Sequence, residues 1–167
     1  MRIRAATIED APAIAAVHVA SWRGAYRGQL PDEVLDGLDV ERRTAGWRQI
    51  LTGEGQFTFV AEDDGRITAF AHGNAAREDD PDGKTGEVFA IYASPDAWGT
   101  GAGRELMAAA VDWLSAAGYR DAVLWVLDGN ARARRFYELA GWAPDGTSKE
   151  EVLAGVPVTE VRYRRAL

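Results

Sequence analysis

The chain contains no cysteine in 167 residues, which excludes disulfides, thiolate metal sites and a cysteine nucleophile. Histidine is nearly as scarce. His18 and His72 stand alone and far apart, so a histidine-rich metal site is not expected, and no metal is assigned. No apolar run approaches the roughly 20 residues that span a bilayer, and the start Met1-Arg2-Ile3-Arg4 is too polar for a secretory signal. The expectation is a cytoplasmic protein with no membrane partner. Basic residues are outnumbered, 19 against 26 acidic, for a net charge of −7. That sign is wrong for general nucleic-acid binding, and no nucleic-acid partner is expected.

What is present fits an ordinary globular protein, 47% hydrophobic and 27% charged, long enough to bury a substantial core as one domain over residues 1–167. Acid is concentrated between residues 54 and 87, in Glu54, Glu62, Asp63, Asp64, Glu78, Asp79, Asp80, Asp82 and Glu87. Only Arg66, Arg77 and Lys84 oppose it there.

Periodicity orders the elements. Arg2 to Ala6 suits a short edge strand, and Thr7 before Glu9 and Asp10 suits a helix cap. Ile14, Val17 and His18 share one face of a helix expected over about Ile8 to Ala20. Ser21 to Leu30 reads as an irregular or partly helical loop. Pro31 opens a short helix over Asp32 to Leu38, and Asp39 caps another running through Trp47 to Leu51. The period then changes to two. Phe57 to Glu62 and Ile67 to Gly73 flank an Asp63-Asp64-Gly65 hairpin turn. Residues 74–85 form a polar loop before a strand from Glu87 to Ala93. Leu106, Met107, Ala110, Val111 and Leu114 mark the core face of a helix that Gly118 closes. Ala122 to Leu127 is apolar throughout, as a buried central strand should be. A helix from Asn130 to Gly141 follows, then a hairpin around Glu150 to Gly155 and a last strand from Val156 to Ala166. The expected fold class is a mixed α/β domain.

Between the Glu87–Ala93 strand and its helix stands Trp98-Gly99-Thr100-Gly101-Ala102-Gly103-Arg104. Glycine lacks a Cβ, so such a turn lets backbone N–H groups approach a ligand closely. The following helix adds unpaired N–H donors and the positive end of its dipole, a seat for phosphate. A plain strand-to-helix turn uses glycine in the same way. The dinucleotide pattern G-x-G-x-x-G fails, because Arg104 or Leu106 stands where its last glycine belongs, and no Gly-Lys-Ser/Thr follows for a P-loop.

What remains resembles the Q/R-x-x-G-x-G/A signature of the GNAT family of N-acetyltransferases, with Trp98 in the Gln/Arg slot. The segment from Leu124 to Trp142, a strand, the Asn130 cap, an Ala133-x-x-Phe136-Tyr137 helix and then Gly141-Trp142, resembles the second half of the same core. The resemblance implies a GNAT fold, a mostly antiparallel central sheet with flanking helices, and acetyl-CoA as cosubstrate. It implies a cofactor site of Ile91, Tyr92, Ala93, Trp98, Gly99, Thr100, Gly101, Ala102, Gly103, Arg104 and Asn130, and homodimers are common among such proteins. A non-catalytic acyl-CoA sensor on the same fold is the alternative.

The implied reaction is direct attack of an amine on the thioester. Tyr137 resembles the family's tyrosine near the thioester sulfur, and a phenol with a pKa near ~10 can protonate a leaving thiolate. It also suits a core aromatic beside Phe136. Glu87, Asp128 and His72 are candidate bases. Glu87 leads, because alternation puts it on one strand face with Phe89 and Ile91, while a water chain would serve in place of any of them. Trp22, Tyr26 and Trp47 are candidates for the acceptor pocket or for packing a helical lid. The acceptor class is a small-molecule or peptide amine. The acidic middle reads either as a solvated face or as a field that steers a cation.

Overall fold

A computed structural model of the chain describes every residue except Asp79, so that member of the acidic stretch lies outside the described residues. The strands are β1 (Arg2–Ala5), β2 (Phe57–Asp63), β3 (Arg66–Ala75), β4 (Thr85–Ala93), β5 (Asp121–Leu127), β6 (Ala143–Leu153) and β7 (Val156–Ala166). They form a single sheet in the order β1-β2-β3-β4-β5-β7-β6. Every neighbouring pair is antiparallel except β4 and β5. The helices are α1 (Ala11–Tyr26), α2 (Asp32–Asp36), α3 (Val40–Leu51), α4 (Ala102–Ala116) and α5 (Ala131–Leu139).

One face of the sheet is covered by α4 and α5. Leu106, Met107, Ala110 and Leu114 pack there against Ala122, Leu124, Val126 and Tyr163. The other face receives α1 and α3, where Ile14, Ala15, Val17 and Trp47 bury Val60 and Phe70. Beyond them α2 and the tip of the β6–β7 hairpin close over the end of α1, through Tyr26, Leu30, Leu35 and Leu127 with Val158 alongside.

Two expectations change. The first helix does not stop at Ala20. A turn of 3₁₀ helix over Ile8–Asp10 leads into α1, which continues to Tyr26 through Gly24. Packing overrides the weak propensity of glycine there: a Cβ on Gly24 would meet Pro95 at 2.8 Å and the Trp98 ring at 3.1 Å. Arg23 also ties the last turn of α1 to α2, its guanidinium donating to the carbonyls of Leu35, Asp36 and Leu38 at 3.0–3.3 Å.

The second change is in β4. His72 pairs with Ala90 but Gly73 pairs with Val88, so Phe89 is an extra residue in the ladder, a β-bulge. Alternation is reset across it. Val88, Ile91 and Ala93 pack on the α4 side, whereas Ala90 and Tyr92 pack on the α1 side. Phe89 meets His72, which meets Trp47, so Phe89 faces the α1 side. Glu87 stays with Phe89 through a shared Arg77, and the expectation that it shares a face with Ile91 is corrected.

Candidate active site

β4 and β5 pair only at Thr85–Asp121, Gly86–Ala122 and Glu87–Val123. Past that point the strands part. From Val88 to Ala93, β4 has no strand partner on its β5 side among the described residues, and a cleft of about 420 Å³ opens through the sheet. Apart from the Ala93 carbonyl, which Trp98 engages, backbone groups on that edge can pair with an extended ligand as though it were another strand.

The glycine loop forms one end of the cleft. Gly99 and Gly101 have φ of +80° and +95°, values that favour glycine. A Cβ on either would meet nothing within 4 Å. The space above the loop is therefore open to a ligand, and Gly101 caps α4 so that its first-turn N–H groups point there. Gly103 and Arg104 line the same end. Thr100 and Ala102 do not: Thr100 turns its hydroxyl to the Ala97 carbonyl at 2.8 Å, and Ala102 is buried in the core. Trp98 lines the cleft but turns its indole N–H to the Ala93 carbonyl at 2.9 Å.

Sequence reasoning missed Arg132. Its guanidinium lies 3.5 Å over the Trp98 ring, in the first turn of α5, where the helix dipole disfavours a cation. Among the described residues no carboxylate pairs with it. Partial burial lowers its pKa, against weak support from Tyr137 and Tyr26. A positive charge so placed suits an anionic ligand. Its signal in sequence is slight, because arginines flank it at positions 134 and 135.

At the junction of the cleft, Asn130 caps α5 by accepting the Ala133 N–H at 3.1 Å. Tyr137 lies two turns further along. It is buried, and burial together with Tyr92 and Tyr26 raises its pKa well above the usual tyrosine range. It therefore holds its proton at neutral pH. Tyr26 faces the Asn130 side chain from α1, and burial raises its phenol too. Trp22 stands edge-on to Tyr26, with centroids 5.2 Å apart. Its indole N–H finds no hydrogen-bond acceptor among the described residues, yet lies close enough to Tyr92 to favour that phenol's ionised form against burial.

Trp22 and Tyr26 thus line the cleft with Ile91, Tyr92 and Ala93. Trp47 does not. It is 4% exposed and packs against His18, Phe70 and His72 behind the Tyr92 wall.

The three candidate bases are all engaged. Glu87 lines the cleft but is 2% exposed. Its Oε1 accepts from Arg77 Nε at 3.2 Å and Nη2 at 2.5 Å, and its Oε2 accepts the Arg77 backbone N–H at 3.0 Å. Asp128 is bound by Arg134 at 2.6 Å, outside the cleft. His72 lies under β2, with Nδ1 at 2.9 Å from the Phe57 carbonyl, and burial lowers its pKa.

A glycine cradle at a helix N-terminus, an unpartnered strand edge and a buried protonated tyrosine thus share one cleft. Comparison with known proteins gives the family and the fold. The Acetyltransferase (GNAT) family model matches residues 19–142, and the chain belongs to this family. It is 32% identical over 162 residues to the uncharacterized N-acetyltransferase YuaI of Bacillus subtilis, covering 95% of this chain and 89% of that one. The ribosomal-protein-alanine N-acetyltransferase from Brucella melitensis has the same fold, with a TM-score of 0.79 at 22% identity and full coverage of both chains. So does yncA from Salmonella typhimurium, a putative acetyltransferase solved with its cofactor acetyl-CoA, with a TM-score of 0.76 at 22% identity over 99% of this chain and 93% of that one.

Proposed function

We propose that this acetyltransferase moves the acetyl group of acetyl-CoA directly onto a primary amine, with no covalent enzyme intermediate. The observation that carries the reading is the parting of β4 from β5, which opens one cleft between the glycine cradle and the Tyr137 phenol. The open space at Gly99 and Gly101 and the unpaired Arg132 suit the pyrophosphate end. The free edge of β4 suits an extended pantetheine arm, beside Asn130. When bound, acetyl-CoA supplies an acyl thioester already activated toward amines.

The chain's own groups do the rest. The backbone N–H groups of Ile91 and Ala93, which alternate to the open edge while that of Tyr92 turns to β3, suit the acetyl carbonyl and would stabilise charge developing on its oxygen. Tyr137 gives its proton to the departing sulfur. Trp22 and Tyr26 wall the opposite side of the cleft, where the amine enters. Glu87 holds Arg77 in place through three hydrogen bonds.

The test is thiol release from acetyl-CoA in the presence of a polyamine, an aminoglycoside, free amino acids and peptides with a free N-terminus or lysine. At least one class is expected to release thiol in step with its own acetylation. Tyr137→Phe should then lower kcat by about 100-fold or more while leaving acetyl-CoA affinity unchanged. Thiol release no faster than in buffer, or a phenylalanine variant as fast as the parent, would sink the proposal.

A further inference from the structure

We propose that Glu160, on β7, is the general base that deprotonates the acceptor amine, acting from the face of the sheet opposite Tyr137. This rests on the transfer to an amine set out above.

The faces are fixed by packing. On β5, Leu124 and Val126 face α4 and α5, whereas Leu127 packs against Tyr26, Leu30 and Leu35 on the other face. On β7, Val161 and Tyr163 face α5, so Glu160 and Arg162 alternate to the α1 face. Arg162 confirms it, lying over Trp125 there with Lys149. Glu160 sits opposite Leu127 in the β5–β7 ladder, beside the mouth of the opening. It lines the cleft that Tyr137 lines from the far side. Base and acid therefore stand on opposite faces, with the gap between β4 and β5 as the passage between them.

Among the carboxylates lining the cleft, Glu160 is the one left accessible. Its side chain is 25% exposed, and among the described residues its ion-pair partner is Lys149 at 3.7 Å. Lys149 is itself shared with Glu151 at 3.3 Å and Glu78 at 3.9 Å. The charged and titratable groups around Glu160 are Lys149 and Glu151 from β6, Arg77 before β4, Tyr26 from α1, Tyr92 on β4, and Arg162 on its own strand. Burial, reinforced by Glu151, raises its pKa above the ordinary glutamate value, against the lowering effect of Lys149 and Arg77. A base poised nearer neutrality is better matched to proton transfer at physiological pH.

The protons balance as follows. An ammonium acceptor loses one proton to Glu160, which passes it to solvent. The nitrogen lone pair forms the C–N bond as the C–S bond breaks. Tyr137 protonates the sulfur; the second proton leaves nitrogen through Glu160 to solvent, and solvent returns one proton to the Tyr137 phenolate. The products are an amide, a free thiol and one proton in solution.

The experiment compares the parent with Glu160→Gln and Glu160→Asp, using the amine that releases thiol fastest and following kcat against pH. Glutamine keeps the side chain's size and should leave acetyl-CoA affinity unchanged. Its kcat at neutral pH should fall about 100-fold, with aspartate in between. The acid limb of the parent's profile should move in the glutamine variant to the higher pKa of the amine itself. Its deficit should shrink by about tenfold per pH unit as free amine accumulates below the amine's own pKa. A merely structural glutamate would move neither feature of the profile. A glutamine variant within about twofold of the parent kcat, with the same acid limb, would overturn Glu160 and leave the acetyltransfer reading standing. Failure of the parent itself to bind acetyl-CoA would overturn both.

Discussion

Arg132 shows how much a single side chain can depend on what the rest of the site supplies. A guanidinium in the first turn of a helix opposes the dipole, and this one also stands over an aromatic ring with no carboxylate beside it among the described residues. The expected compensation is a phosphate of the cosubstrate, and Trp98 fixes the stem where the family signature would place a polar side chain. Arg132→Gln should weaken acetyl-CoA binding by about tenfold, the scale of one charge-assisted contact, and flatten its dependence on salt. Calorimetric titration at two ionic strengths checks this, and unchanged affinity would remove Arg132 from the site. At this scale the sequence was only partly legible. Gly99, Gly101 and the Asn130 cap announce themselves through local pattern, because backbone geometry is local, whereas Tyr137 is marked by the family resemblance. Glu160 and Arg132 do not announce themselves, because the roles proposed for them depend on neighbours brought near by the fold. Glu87 was legible as a cleft residue, but its capture by Arg77 was not.

Among the elements, β4 decides the site. Its bulge at Phe89 turns the apolar alternation over and brings Ala90 and Tyr92 to the α1 side while Ile91 and Ala93 stay with α4. Strict alternation predicted one face for Glu87, Phe89 and Ile91, and only the pairing partner reveals the extra residue. Gly73 accommodates the bulge from β3. A Cβ there would fall 2.2 Å from the Glu87 carbonyl oxygen and 2.7 Å from the Phe57 ring, and the backbone oxygen cannot step aside cheaply. Gly73→Ala should destabilise the protein by about 1–3 kcal/mol, read as a lower denaturation midpoint, and weaken acetyl-CoA binding by shifting β4. A variant as stable as the parent would show that the bulge tolerates a side chain. The end of α1 teaches the same lesson from the other direction. Gly24 and Gly28 suggested a loop, yet contacts with Pro95 and Trp98 and the Arg23 bonds to α2 carry the helix to Tyr26.

For the molecule as a whole, the order of strands and helices was readable because each has its own period and punctuation, from the Asp64-Gly65 turn to the Asn130 cap. The assembly was not. Nothing local tells that β5 pairs with β7, or that the hairpin tip returns to α1. One consequence of the assembled core is acid sensitivity. His18 lies within a ring of Trp22, Trp47, Phe70 and Tyr92, stacked 4.9 Å from the last. Burial, with Arg43 nearby, lowers its pKa from 6.5 to about 3. The folded protein thus keeps His18 neutral where the unfolded chain protonates it. Its contribution to stability is complete above pH 6.5 and is lost as pH falls toward about 3. His72 shifts in the same direction. Melting temperature should therefore drop between about pH 7 and pH 5, and His18→Gln should lessen that drop; an identical slope in the variant would show that other groups govern it. The most direct test of the central claim is calorimetric titration of the protein with acetyl-CoA beside Gly101→Glu, which puts a carboxylate and a strained backbone into the cradle. Saturable binding by the parent, abolished in a variant that still folds, is the expected result. A folded parent protein that takes up no acetyl-CoA would contradict it and reduce the glycine loop to a turn between a strand and a helix.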